Sequence, residues 1–200
     1  MLAAVILSAG QSSRMGAHKA LVDFRGKPFL AHILEATTTP SIGLVRVVLG
    51  AGDQEIRSAI SLPDEIVILN PDWERGQLSS IQAAVRSLTE DPLTEDSIDG
   101  MLVWPVDHPL VSRAVVESLA DAFYYLAQPI VVPTYCGRRG HPMIFASSLF
   151  PELLLAPEEQ GARAVVWAHA ADVAEVPTDE EGVVMNLNDP DTLRRARGDK

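Results

Sequence analysis

The chain has 200 residues, enough for one well-cored domain and too few for two large ones, so a single domain over residues 1–200 is expected. Its formal charge of -11 argues against a broad polyanion-binding face for DNA or RNA, and any phosphate site must be a local basic pocket in an acidic protein. The lone Cys136 excludes an intrachain disulfide and a cysteine-rich metal centre. The apolar run near the amino terminus breaks at Ser8, too early to span a bilayer and poor as a signal peptide, so a cytoplasmic location without membrane or nucleic-acid partners is expected.

Leu2 to Leu7 reads Leu-Ala-Ala-Val-Ile-Leu, a continuous aliphatic run of the kind that forms a strand buried on both faces of a parallel sheet. Ser8 to Lys19 then leaves the carboxyl end of that strand, where open α/β sheets bind ligands. Gly10 and Gly16 permit close backbone approach to an anion, while Arg14 and Lys19 supply a forked donor and a compact cation. The glycines fit neither the GxGxxG spacing nor the GK[ST] ending of the common nucleotide loops. Read alone, the segment is either a phosphate cradle or an ordinary strand-to-helix loop with two surface cations.

Phe29, Leu30, Ile33 and Leu34 repeat with helical spacing after a turn at Arg25 to Pro28, which places Pro28 at the helix start. Leu44 to Leu49 predicts a second buried strand, and Asp53 is positioned to cap a helix through Ile60. Glu65 to Leu69 predicts a third strand, Ser79 to Leu88 a helix, and Thr89 to Asp99 an exposed acidic connection. Met101 to Val106 is a further strand, provided Pro105 sits at its end, where the missing donor is harmless.

Val111 and Val116 bracket Ser112 as a hydrophobic staple around a serine N-cap, starting a helix that runs to Leu126. Ile130 to Val132 predicts a strand, Tyr135 to His141 a basic loop, and Pro142 to Phe145 an extended segment. Helices are expected over Ser147 to Leu155 and Gly161 to His169, with a strand over Asp172 to Val176 between them and the end. Asp189 can cap a last helix with Pro190 at its first position, and the tail from Arg197 is expected to fray. Strands alternating with helices predict a mostly parallel sheet covered on both faces, with a small antiparallel insertion near residues 135–146.

Asp107, at the carboxyl end of a predicted buried strand, is either a turn-forming carboxylate or a hard oxygen ligand for Mg²⁺. Trp73 and Leu78 read as cover for a sheet edge. Arg138, Arg139, Gly140 and His141 form a second basic cluster that reads equally as an exposed turn or a binding loop.

These motifs, in this order, make the chain resemble the nucleotidyltransferases that attach a nucleotide to molybdopterin. The likeness is carried by Leu7-Ser-Ala-Gly-Gln-Ser-Ser-Arg-Met-Gly with Lys19, Asn70-Pro-Asp-Trp-Glu-Arg-Gly-Gln-Leu-Ser-Ser, Pro105-Val-Asp-His-Pro-Leu, Gly137-Arg-Arg-Gly-His-Pro, Gly161-Ala-Arg and Asn186-Leu-Asn-Asp-Pro-Asp. The resemblance implies a three-layer α/β/α Rossmann-like nucleotidyltransferase fold. It also implies transfer of CMP from CTP to the terminal phosphate of a molybdopterin-type acceptor, with release of pyrophosphate and assistance from Mg²⁺ or Mn²⁺. It places Leu7, Ser8, Ala9, Gly10, Ser12, Ser13, Arg14, Gly16 and Lys19 around the nucleotide, with Gly76, Ser79 and Ser80 at a nearby loop-helix junction. Arg14, Lys19 and Asp107 take the catalytic roles, and Asp107, Asn186 and Asn188 the metal-binding ones. Arg138, Gly140, His141 and Arg163 face the acceptor.

Ala9 resembles the cytidylyl-transferring branch, in which a second glycine is absent. Asn186 and Asn188 depart from it: they stand where that branch carries paired aspartates, and are closer to the guanylyl-transferring relatives. His108 replaces the family's usual glutamine. The departures keep open GTP as donor, a sugar phosphate as acceptor, or a non-catalytic cofactor carrier or insertion chaperone. A recipient molybdoenzyme or an insertion chaperone would then be a protein partner.

Overall fold

A computed structural model of the chain describes residues 1–11, 18–91 and 97–197. Strand β1 (Leu2–Ser8) is buried along its whole length. Successive side chains of a strand point to opposite faces, so Leu2, Ala4 and Ile6 enter one core and Ala3, Val5 and Leu7 the other. That is why the sequence shows an unbroken aliphatic run here instead of an alternating one.

A two-residue hairpin, β2 (Asp23–Phe24) and β3 (Lys27–Pro28), follows the described part of the first loop. It turns through Arg25 and Gly26, both with positive φ, so the expected plain turn carries a short ladder. Helix α1 (Phe29–Ala36) leads to β4 (Ile42–Leu49), and α2 (Asp53–Ile60) to β5 (Val67–Leu69). Asp53 does not cap α2: Gly52, left-handed at φ 69°, occupies that position and Asp53 is the first helical residue. The strand expected from Glu65 begins two residues later, after a single 3-10 turn at Asp64–Ile66.

Helix α3 (Gln77–Glu90), β6 (Gly100–Pro105) and α4 (Arg113–Leu126) come next. Pro105 ends β6, and Ser112 caps α4 by accepting the Val115 amide, both as the sequence predicts. The basic segment expected as a loop folds back instead: β7 (Ile130–Tyr135) pairs with β8 (Arg138–Arg139) across Cys136 and Gly137, whose positive φ angles make the tight turn. Strand β9 (Met143–Ala146), α5 (Phe150–Leu155), α6 (Arg163–Ala168), β10 (Val173–Pro177) and α7 (Pro190–Arg197) complete the chain. Asp189 caps α7 by accepting the Asp191 and Thr192 amides at 3.0 and 2.9 Å. Arg197 belongs to that helix and bonds to the Asp23 carbonyl, and the rest of the tail expected to fray lies outside the described residues.

Among the described residues the main sheet runs β10-β7-β9-β6-β1-β4-β5, with β8 on β7. The β1–β4, β1–β6, β4–β5 and β7–β10 pairs are parallel, and β9 lies antiparallel between β6 and β7. Helices α1, α4 and α7 cover one face with Phe29, Leu30, Val116, Leu119 and Leu193, around the fully buried Trp104. Helices α3, α5 and α6 cover the other with Ile81, Val85, Leu153 and Val165. Each fully buried aliphatic side chain contributes about 1.5–3 kcal/mol from transfer alone. The result is a three-layer, mostly parallel α/β fold with the expected antiparallel insertion. No described helix is long and apolar enough to cross a membrane.

Candidate active site

Two neighbouring strand ends build the site. Parallel pairing sets Leu7 opposite Pro105, and the Val106 amide bonds to the Leu7 carbonyl at 3.1 Å. Ser8, Ala9 and Gly10 therefore leave the sheet beside Val106 and Asp107. Antiparallel β9 sets Met143 opposite Val103, so His141, two residues earlier, arrives at the same end of β6.

A cleft of about 260 Å³ opens there, lined by Leu7, Ser8, Ala9, Gly10, His18, Lys19, Ile56, Trp73, Gly76, Gln77, Ser80, Pro105, Val106 and Asp107. Its floor is the end of β1 and its far wall the start of α3, where the Ser79 amide bonds to the Gly76 carbonyl at 3.2 Å and the positive end of the helix dipole favours anions. Gly50 lets Trp73 approach, since a Cβ there would lie 2.6 Å from the Trp73 Cβ. Gly52 makes room for the His18 ring in the same way.

Lys19 is the cation at the centre. Its ammonium donates to the Asn188 side-chain oxygen and stands 3.7 Å from Asp107 Oδ2. Asn188 reaches this position because residues 182–188 cross the end of β6. The Leu187 amide bonds to the Asp107 carbonyl at 2.8 Å, and the His141 amide to the Val183 carbonyl at 2.8 Å. Gly140 and Gly182 allow the crossing to lie close: a Cβ at Gly140 would sit 2.3 Å from the Val183 carbonyl oxygen, and one at Gly182 2.7 Å from that of Leu110.

Behind Asp107 lies a pair of imidazoles, His108 buried and His141 partly so. The His108 ring is 4.9 Å from that of His141 and bonds to the Gly182 backbone. Burial pushes the His108 ring below the usual histidine range, against the pull of the Asp107 carboxylate. Burial is again the main cause for His141, followed by the neighbouring His108, and together they push it to about 4. Both rings are thus neutral at neutral pH, and each has an Nδ1 with no hydrogen-bond partner among the described residues.

Of the residues anticipated at the nucleotide, Leu7, Ser8, Ala9, Gly10, Lys19, Gly76 and Ser80 line the cleft together with Asp107. Ser12, Ser13, Arg14 and Gly16 lie outside the described residues. Ser79 is buried in the frame: it accepts from Asn70 and donates to the Asp72 and Gly76 carbonyls. Asn188 joins Asp107 through Lys19, whereas Asn186 is exposed on the same crossing segment. On the acceptor side, Gly140 and His141 meet the crossing segment. Arg138 is exposed on β8, and Arg163 lies over the ring of Trp167, 5.8 Å from its centroid, outside the cleft lining. His18, Trp73 and Gln77 are lining residues that the sequence motifs do not single out as ligands. The positive-φ glycine before Gln77 was the available signal for a helix start facing the cleft.

Among the described residues no three histidine, cysteine or carboxylate side chains gather as a metal centre. The Asp107–Asn188 pair does hold a cation in the form of the Lys19 ammonium, and two oxygen donors suit an ion such as Mg²⁺ that takes its other ligands from phosphates and water.

The chain resembles several known proteins. Nicotine blue oxidoreductase of Paenarthrobacter nicotinovorans is 30% identical over 151 residues, covering 74% of this chain and 72% of the relative. Molybdenum cofactor guanylyltransferase of Rhizobium rhizogenes is 27% identical over 198 residues, covering 94% of this chain and 87% of the relative. The bifunctional protein GlmU of Cupriavidus pinatubonensis is 30% identical over 141 residues, and the matched part is 67% of this chain but only 29% of GlmU. Among solved structures, Rv0371c from Mycobacterium tuberculosis H37Rv superposes with a TM-score of 0.84 at 26% identity, covering 98% of this chain and 97% of the other. A family model described as the MobA-like NTP transferase domain matches residues 4–173. Fold and family together support enzymatic nucleotidyl transfer of the general, divalent-metal-assisted kind. The chain belongs to the MobA-like NTP transferase domain family.

Proposed function

We propose that the protein transfers a nucleotide from a nucleoside triphosphate to the phosphate of a phosphorylated acceptor, releasing pyrophosphate, with GTP and a molybdopterin-type phosphate as the substrate pair. The observation that carries the reading is the convergence of Lys19, Asp107 and Asn188 beside the loop that leaves β1. The asparagine at 188 and the guanylyltransferase relative, matched over most of its length, favour GTP over the CTP suggested by Ala9.

An acceptor phosphate oxygen attacks the α-phosphorus as the bond to the β-phosphate breaks, and the electron pair leaves on pyrophosphate. The attacking oxygen is already anionic near neutral pH, so no side chain need remove a proton. What the chain supplies is position and charge. Lys19 offsets triphosphate charge, and Gly76, Gln77 and Ser80 bring the start of α3 to the cleft. Asp107 and Asn188 would hold the metal, which when bound draws the phosphates together and offsets charge on the leaving group. The crossing segment and His141 shape the acceptor side.

The test is pyrophosphate release with GTP, CTP, ATP or UTP, each paired with molybdopterin phosphate and with a sugar phosphate. GTP with molybdopterin phosphate is expected to be fastest. CTP leading GTP would restore the cytidylyl reading, a sugar phosphate leading would replace the acceptor, and tight nucleotide binding with no pyrophosphate would make the protein a carrier. The similarity to a named oxidoreductase supports a second, redox reading. Oxidation of added reduced nicotinamide coupled to two-electron reduction of an added organic dye as acceptor, with no pyrophosphate from any pair, would favour it.

A further inference from the structure

The position of Lys19 has a consequence for metal binding. Its ammonium lies between the Asp107 carboxylate, 3.7 Å away, and the Asn188 amide oxygen to which it donates. Those are the two oxygens best placed to receive a divalent ion. A cation already among them both blocks the space and repels an incoming ion. At separations near 4 Å like charges repel strongly even at an intermediate dielectric. Lys19 and Asp107 are both largely shielded, at 23% and 19% exposure, so solvent screens the repulsion only partly.

Asn188 is tied to Asp107 through the Leu187 amide, so the donor pair stays together whatever the lysine does. Lys19 also lines the cleft that opens beside Gly10 and the start of α3. A triphosphate in that cleft offers the lysine several anionic oxygens, which compete with the Asp107 carboxylate and the neutral Asn188 amide.

We infer that Lys19 is the resident counter-cation of the Asp107–Asn188 pair, so that the site takes up a divalent metal only when a nucleoside triphosphate draws the lysine away. The inference rests on the proposed nucleotidyl transfer and deepens it: metal and nucleotide bind as one event, and metal alone does not load the site. Asn188 is part of the device. A neutral amide accepts the lysine without adding a charge that would hold a metal on its own, which gives the asparagine a role distinct from the aspartate of the cytidylyl branch.

The probe is Mn²⁺, with free ion measured by electron paramagnetic resonance in the absence of nucleotide. Wild type should bind it weakly. Lys19→Met should bind it at least tenfold more tightly, and Lys19→Met combined with Asp107→Asn should lose that gain. Lys19→Gln, which removes the charge but keeps a polar chain, repeats the measurement should the methionine variant fold poorly. Equal Mn²⁺ affinity in wild type and in the folded charge-removing variant overturns the inference.

A second arm adds a non-hydrolysable guanosine triphosphate analogue. Loss of the ternary Mn²⁺ complex in Asp107→Asn, with no gain on removing the lysine charge, would discard the counter-cation while leaving the proposed function standing. An unchanged ternary complex in Asp107→Asn would instead remove the metal from Asp107, and both readings of the site with it.

Discussion

Gly140→Ala tests how the proposed acceptor wall is joined to the segment proposed to bind the metal. The new Cβ would lie 2.3 Å from the Val183 carbonyl oxygen and 2.6 Å from its carbon. Ordinary contact needs roughly 1 Å more, and the obstacle is backbone, which no rotamer change can move aside. The crossing segment must shift. Overpacking of this kind costs about 1–3 kcal/mol. The shift also strains the 2.8 Å bond from the His141 amide to Val183, worth about 1 kcal/mol net. The sum is about 2–4 kcal/mol, or a fall in Tm of roughly 5–15 °C for a chain of this size. Val183 lies five residues before Asn188 on the same segment, so nucleotide-dependent Mn²⁺ binding should weaken along with stability. Gly137→Ala is the control: it has open space around its Cβ position and only its positive φ of 74° to strain, so it should cost about 1 kcal/mol and leave metal binding unchanged. Thermal unfolding and Mn²⁺ titration of the two variants decide the matter. Equal losses, or no loss at Gly140, would refute the reasoning.

Asp107→Asn should lower pyrophosphate release by roughly two to three orders of magnitude, the range seen when one charge-stabilising group is removed. It should shift Tm by only a few degrees, because the pair is open at 3.7 Å and asparagine leaves an amide oxygen beside Lys19, which keeps its bond to Asn188; turnover near wild type would remove Asp107 from the chemistry. His141 is held neutral by burial, with its pKa lowered from 6.5 to about 4. The unfolded chain therefore binds the extra proton first, so this stabilisation is complete above pH 6.5 and is lost as pH falls toward 4. The loss amounts to about 3 kcal/mol, and the difference in urea unfolding free energy between wild type and His141→Gln should change by that order between pH 7 and pH 4; parallel pH profiles would contradict it. Ser112→Ala removes the N-cap of α4 and the hydroxyl that donates to Glu180, and should cost about 1–2 kcal/mol in a denaturant titration without altering nucleotide binding.

The sheet was legible where one residue type dictated one geometry. The aliphatic runs at β1 and β6 have no solvent-facing alternative, Pro105 can only end its strand, and the serine and aspartate before α4 and α7 each bond the amides they precede. Local ambiguity defeated other expectations. Gly52-Asp53 offers two ways to begin a helix, and the left-handed glycine prevailed because the His18 ring occupies the space a side chain there would need. Cys136-Gly137 turns in two residues, which pulls Arg138 and Arg139 into a strand. The site itself was only half legible. Lys19 and Asp107 stand in recognisable motifs, but the bond from Lys19 to Asn188 spans 169 positions and depends on the crossing of β6 by residues 182–188. The contact between His108 and His141 likewise depends on the register of β9 against β6, which no local pattern encodes even though the antiparallel insertion itself was expected.

That setting has a bearing on how the acceptor wall can be changed. Strand β9 is bonded on both of its edges, to β6 on one side and β7 on the other. A single substitution in the hairpin can alter what the wall presents, but exchanging the hairpin alone would leave a foreign seam inside the sheet. Under the proposed function, redesign of acceptor preference therefore has to transplant residues 130–146 as one block with their partners on β6, while the half proposed to hold the triphosphate, built on β1, β4 and α3, can be kept as it is.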